Sequence, residues 1–522
     1  MNTLLERIKK AGGRLEDTIR RLPCSFTVLC LISLCGIYQI LSEKETVKLF
    51  FSLIVAVFFC FLLEIAYEYG VHKLKVLTPL TAVSATLISY LLLKHYGNIY
   101  IYTALAGLSI AAISLIFYVL YAKRENRELF SHLIKSAFIV EIFAGVIMSG
   151  ISVCLAAFHF LIFHFDEVWK IYGIISILVM GLFNATLFFS YVPKPDEKIS
   201  VPATYRTIIH KALFYIYLIL IAILYLYIFK IIITWKMPVG KLNWFGCFAL
   251  LFYVFFYLSV DESDGRYQKL FKQHGVYLLL PILAIQLFAI IIRLNAYGLT
   301  TARMMSLILI TAAVGFMVSQ ALHIPVARCF LFTALLAILF SCTPFNIYDV
   351  PDRVQEKRLK DALIKGGALN NGVLDDQVKM EARYLEDVRS AYEYLRYSDG
   401  RKSAFYEEFE KSKIAKALDH YDPQSAEIRS FYYNTDLTNK EIDIASYSKL
   451  EIISQDDEHY QQELTPFLLS LDESKTADYQ QDGLEYELSD GSKIIFRYIS
   501  YDYNEDEKGF VYLYWEAIRL SK

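Results

Sequence analysis

The sequence predicts an α-helical polytopic membrane protein of about eleven transmembrane helices, followed by a small α+β soluble domain. Three observations carry this reading. Of 522 residues, 56% are hydrophobic and only 20% charged, where soluble globular chains carry about 25%. The charge is also divided: residues 344–522 hold 37 acidic and 23 basic side chains, whereas residues 1–343 hold 17 acidic and 29 basic. A greasy basic part and a hydrophilic acidic part belong to different environments. Finally, the last forty residues alternate apolar and polar around Asp490-Gly491, a favoured two-residue hairpin turn.

In chain order, residues 1–22 place Leu4, Ile8, Ala11, Leu15, Ile19 and Leu22 at helical spacing. Arg7, Lys9, Lys10, Arg14, Arg20 and Arg21 fill the other face. This basic amphipathic segment suits the surface of an anionic leaflet. It lacks a small-x-small cleavage site, so the first apolar run is expected to remain as an anchor.

Spans are expected at residues 23–42, 47–69, 77–95, 99–122, 136–163, 168–191, 212–234, 242–260, 275–293, 303–322 and 326–344, each near the ~20 residues that cross a hydrocarbon core. With the N-terminus in the cytoplasm, basic clusters such as Lys123, Arg124, Arg127 and Lys135 fall inside, as the positive-inside rule requires. An odd count puts the C-terminal domain on the other side of the membrane. Arg353, Lys357, Arg358 and Lys360 after the last span pull the opposite way.

Past Pro344 the chain turns hydrophilic, and residues 345–522 are expected to form the acidic domain. Asp352–Lys365 reads as a charged helix ended by Gly366-Gly367. Val378, Leu385, Val388, Tyr392 and Leu395 mark a second helix, and Phe405, Phe409 and Leu418 a third. Leu484–Leu488, Ile494–Ile499 and Phe510–Trp515 read as a three-stranded antiparallel meander.

The connection Arg293-Leu-Asn-Ala-Tyr297-Gly298-Leu-Thr300-Thr-Ala-Arg303 joins two apolar helices, Val276–Ile292 and Met304–Leu322. With Ile292, it resembles the IR-x-x-x-YG-(L/I)-T-x-x-R junction of bacterial membrane proteins catalogued as domain of unknown function 4153. Val350-Pro-Asp-Arg353-Val-Gln355-Glu-Lys-Arg358-Leu359 is similar to that family's V-S-x-R-S-Q-x-x-R-L segment, with Pro351 and Val354 in place of its serines. Ile442-Asp-Ile444-Ala-Ser-Tyr447 looks like its strand leading into the terminal domain. The resemblance implies a polytopic bacterial inner-membrane protein of a family without an established activity.

The candidate ligand-binding residues are Arg293, Tyr297, Gly298, Thr300 and Arg303, because a planar guanidinium pairs bidentately with phosphate or carboxylate. The alternative is that the arginines snorkel and tie down the loop. Glu64 and Glu141 are carboxylates within apolar spans, four residues before Glu68 in the first case. Such groups serve proton coupling or an interhelical ion pair. His159, His164, Asp166 and Glu167 offer zinc-type ligands, but helical spacing turns the two rings apart, so no metal is assigned. Tyr215, Tyr217, Tyr225 and Tyr227 read as an interfacial aromatic belt, and Gly145-x-x-x-Ser149 and Gly181-x-x-x-Ala185 as close helix contacts. The eight cysteines lie in or beside apolar runs with no C-x-x-C spacing. No phosphate loop, metalloprotease, nucleophile-elbow or dinucleotide motif occurs, so no catalytic residue or cofactor is assigned. The acidic terminal domain argues against nucleic acid.

Three functions are compatible with these features. The first is a non-enzymatic envelope protein, embedded in the bilayer, that presents residues 345–522 to a protein partner or ligand. The others are a proton-coupled transporter or exporter, and a membrane enzyme acting on lipid-linked substrates.

Overall fold

The computed structural model describes residues 13–71, 77–123, 128–234, 241–260, 265–370, 372–375, 378, 380–420, 428–434, 447–454, 464, 466–471, 484–504 and 509–521. By contacts the chain divides into two units, Met1–Tyr406 and Glu407–Lys522. Residues 442–446 of the expected strand before the terminal domain lie outside the described residues.

The first unit is helical. Pro23, whose missing N–H is no loss at the first position of a helix, opens α1 (Pro23–Ser42). There follow α2 (Val47–Glu68), α3 (Leu77–His95), α4 (Ile99–Lys123), α5 (Leu129–Leu161), α6 (Val168–Ser190), α7 (Ala203–Thr234), α8 (Lys241–Ser259), α9 (Arg266–Tyr297), α10 (Thr301–Leu322) and α11 (Val326–Cys342). Among the described residues nine are long and apolar enough to cross a membrane, and α8 and α11 are shorter apolar helices. The chain is a multi-pass helical membrane protein. Three helices begin well before their apolar stretch: α5 at residue 129, α7 at 203 and α9 at 266. Two helices carry a π-helical turn, Ile177–Phe183 in α6 and Thr207–Leu213 in α7.

Two sets of polar contacts define the ends of this bundle. At one end Arg21 pairs with Glu68, Tyr69 donates to the Pro193 carbonyl and Ser131 to that of Ser259. At the other, Lys170 bridges Glu43 and Glu167, and Tyr100 donates to Asp349 of α12 (Asp349–Lys365). Helix α12 packs on α13 (Ala382–Tyr397), with a two-residue hairpin, β1 (Leu369–Asn370) and β2 (Val373–Leu374), between them. Both helices belong to the first unit. The contact boundary after Tyr406 therefore differs from the compositional break near Pro344.

Between the ends, α7 to α11 enclose a core that includes Phe214, Tyr217, Tyr253, Phe256, Leu279 and Phe316. Tyr217 is 2% exposed and donates to the Ala249 carbonyl, so it is a core residue rather than part of an interfacial belt. Helices approach closely at Gly107, where a Cβ would collide with Ser341 of α11, and at Gly246, where it would meet Gln286 of α9. A Cβ at Gly145 or Gly181 would meet nothing within 4 Å, so neither glycine makes such a contact among the described residues.

The second unit holds α15 (Lys413–His420), which follows α14 (Ala404–Glu410) at the boundary. It also holds an antiparallel sheet of β3 (Ile428–Asn434), β4 (Lys449–Ser454), β5 (Leu484–Glu487), β6 (Lys493–Asn504) and β7 (Gly509–Ser521). The expected meander is present as β5–β6–β7, closed at Gly491 with φ +77°. Two strands join it that the alternation did not reveal: β3 beside β5 along one edge of β6, and β4 outside β7. A register shift between Phe496 and Tyr498 keeps Ile494 and Phe496 on the same buried face as Ile499 and Tyr501, as an extra residue in one strand does.

Candidate functional site

Helix α9 ends at Gly298, whose N–H closes onto the Leu294 carbonyl and whose backbone takes φ +68°, ψ −177°. Residues with a Cβ are effectively excluded from that conformation. The turn leaves the carbonyls on either side of Gly298 facing α12, and Gln355 fills the space. Its Nε2 donates to Tyr297 O at 2.8 Å and Leu299 O at 2.9 Å. A Cβ at position 298 would stand 2.8 Å from that nitrogen. Gly298 is thus required twice, for its dihedral and for the seat of Gln355, which is 1% exposed.

The other residues of the junction hold the same assembly. Arg303 Nη1 donates to Gly298 O at 2.5 Å, and its guanidinium lies 5.7 Å from the Tyr297 ring centre. Thr300 is extended before α10 and makes no side-chain cap. Instead the Thr301 N–H donates to the Tyr394 hydroxyl of α13 at 3.1 Å, with Thr301 Oγ1 at 3.0 Å. Burial raises the Tyr394 phenol above its ordinary value, which keeps it neutral.

Three arginines lie in the same neighbourhood. Arg303 is repelled by Arg293 and Arg358. Arg358 pairs with Asp387 at 2.7 Å and donates to Ser390 at 3.2 Å. Arg293, half-buried, has no hydrogen-bond or ion-pair partner among the described residues. The cluster therefore keeps a net positive charge that one acid does not offset. One turn before Gln355, Asp352 is 6% exposed. Its Oδ1 accepts from Ser398 at 2.5 Å, while its Oδ2 is buried against Gly400 without a hydrogen-bond partner among the described residues. Burial raises its carboxyl above the ordinary range, with Ser398 and Lys402 opposing.

Glu64 lies elsewhere. Its carboxylate accepts from Cys24 N at 2.8 Å, Ser25 N at 3.2 Å and Ser25 Oγ at 2.5 Å. It occupies the exposed donors at the start of α1, where helix ends attract negative charge. Glu68 pairs bidentately with Arg21 at 2.5 and 2.6 Å, and Arg21 also donates to Val192 O. Glu141 is on the exposed face of α5, not inside the bundle, and accepts from Asn184 at 2.8 Å. His159 and His164 are not turned apart, because α5 ends at Leu161 and the chain folds back. Their ring centres are 4.2 Å apart, and Phe165 N donates to His159 Nδ1. Glu167 is engaged by Lys170, and no group of three metal-type ligands occurs among the described residues.

The sequence thus located the junction but not its partners. Gln355 and Arg358 were visible as residues of the similar segment after the last span. Tyr394 and Asp352 carry no local signal, since each acts on a residue far away in sequence. A family model described as Domain of unknown function (DUF4153) matches residues 26–388, which takes in the junction, α12 and part of α13. No curated protein and no solved structure matches the chain.

Proposed function

The chain belongs to the DUF4153 family, whose description names no reaction, and on that premise we propose a non-enzymatic envelope protein of the bacterial inner membrane. Its helical unit presents the C-terminal unit to a protein partner or ligand. One observation carries the reading: Gln355 and Tyr394 tie the backbone of the α9–α10 junction to α12 and α13, the segment that leads to the C-terminal unit. Glu64 and Glu68 are engaged as a helix cap and an ion pair, which leaves them unsuited to a proton relay.

The N-terminus is assigned to the cytoplasm and the C-terminal unit to the opposite side, on the basic clusters and the eleven apolar helices. A reporter enzyme fused after Lys522, active only outside the cytoplasm, tests the orientation; a cytoplasmic signal sinks it. Photo-crosslinking in cells from exposed positions of the C-terminal unit in the full chain tests the role. A discrete adduct supports it. Proton-driven flux in vesicles that Glu141→Gln abolishes would replace this reading with the transporter.

The unpartnered Arg293 beside Arg303 and Arg358 favours a phosphate or carboxylate as the ligand of this junction. Arg293→Gln is expected to remove phosphate binding measured by calorimetry on the intact protein; unchanged binding would exclude the junction.

A further inference from the structure

At the end of the bundle away from Gly298, α9 and α10 line a cavity of about 1090 Å³, reached also by the ends of α4 and α8 and the start of α11. Apart from His274, the wall that α9 gives it is one helical stripe. Lys269, Lys272, Gln273, Val276 and Tyr277 recur at three, four, seven and eight, and all line the cavity. The stripe is cationic at the outer end of the helix and apolar further in. From α10, Ser319, Gln320 and His323 face the same space.

The back of the cavity is fixed. Gln320 is 7% exposed, accepts from the Tyr253 hydroxyl and donates to the carbonyls of Phe271 and Lys272. Ser319 exchanges hydrogen bonds with Ile324, its Oγ donating to Ile324 O at 2.8 Å and its carbonyl accepting Ile324 N at 2.9 Å. That closes the loop before α11, where Val326 adds an apolar surface. Lys272 donates to the Val260 carbonyl. Lys269 and His323 have no side-chain partner among the described residues, and no acidic side chain lines the space there.

We propose that this cavity binds the phosphate of an anionic phospholipid, with Lys269 and His323 holding the headgroup and Val276, Tyr277 and Val326 receiving the upper acyl chains. Cations at the outer part of a membrane-level cavity, with Val276, Tyr277 and Val326 along its wall, match the layout of a phospholipid, charged above and apolar below. A lysine that merely reaches for water needs no cavity beneath it. The site is separate from the junction at Gly298, and it stands whether or not the presenting role does.

The full chain is reconstituted in nanodiscs of phosphatidylcholine with or without phosphatidylglycerol, re-extracted, and its retained phospholipid counted by native mass spectrometry. The wild type is expected to retain phosphatidylglycerol selectively. Lys269→Gln with His323→Gln should weaken retention by roughly fivefold or more, the effect of a lysine near a charged membrane surface, and Lys269→Arg should restore it. Val326→Trp fills the cavity without changing charge and should also reduce retention. Each variant is compared only if it elutes as a single species. Displacement of the lipid by inorganic phosphate would support the phosphate site while assigning it to a soluble ligand. Equal retention by wild type, the double variant and Val326→Trp overturns the proposal.

Discussion

Gly298→Ala is the sharpest perturbation of the junction. At φ +68°, ψ −177° the alanine backbone is strained by about 1–3 kcal/mol, and its methyl displaces the Gln355 amide 2.8 Å away. Two hydrogen bonds to the flanking carbonyls are then lost, at about 1 kcal/mol each. The sum is about 3–5 kcal/mol, and at tenfold per ~1.4 kcal/mol even the lower figure raises the population with α12 undocked by roughly 100-fold. Proteolysis under conditions where opening and closing are fast follows that population. Detergent-solubilised Gly298→Ala should therefore be cut within residues 349–401 roughly 100-fold faster than wild type. Gly145→Ala, placed where a Cβ meets nothing, is the control. Cleavage of Gly298→Ala at the control rate would refute the claim that this glycine seats Gln355.

Three other outcomes follow from the contacts. Glu64→Ala should lower melting stability in detergent by about 1–2 kcal/mol through loss of the α1 cap; an unchanged melt removes the capping role. Arg21→Ala and Glu68→Ala should each cost about 3 kcal/mol because one strands the other. The double variant should cost less than the sum, and strict additivity would show that the two do not interact. Burial holds the Asp352 carboxyl above its ordinary value, so the folded state keeps a proton that the unfolded state releases. The stability it contributes is full below the unfolded value and is lost as pH rises through the folded one. Cleavage near residues 398–401 should accelerate from acidic to neutral pH in the wild type and stay flat in Asp352→Asn; identical profiles would refute the assignment.

The membrane helices were legible because each apolar run nearly equals the thickness it must cross, and hydropathy depends on composition alone. Their polar extensions were not. Ala203–Arg206 and Arg266–His274 continue a helix past the apolar stretch, where hydropathy carries no signal. The hairpin at Asp490-Gly491 was legible from its turn chemistry, whereas β3 and β4 depend on pairing with β6 and β7 far along the chain. Of the junction, Gly298 and Arg303 stood out as residue types out of place in a membrane segment. What they hold did not, because Gln355 is an ordinary polar residue until the fold sets it between two carbonyls. Glu64 left two readings open for the same reason: a carboxylate in an apolar run suits a relay or an ion pair, and its partners at Cys24 and Ser25 are about forty positions upstream.

The wide turn at Ile177–Phe183 accommodates one residue more than regular winding needs. Were all 7 residues of that turn wound regularly, everything beyond would swing by about 100° about the axis relative to what precedes it. Asn184 would then face away from Glu141, leaving a bare carboxylate on the outer surface of α5. Deleting Gly181 removes the surplus instead, so α6 winds evenly with Asn184 still beside Glu141. Cysteines placed at 141 and 184 should join by oxidation in the full-length and the shortened helix alike. The wide turn thus keeps the angular phase of half a helix, and with it the company an exposed acid keeps.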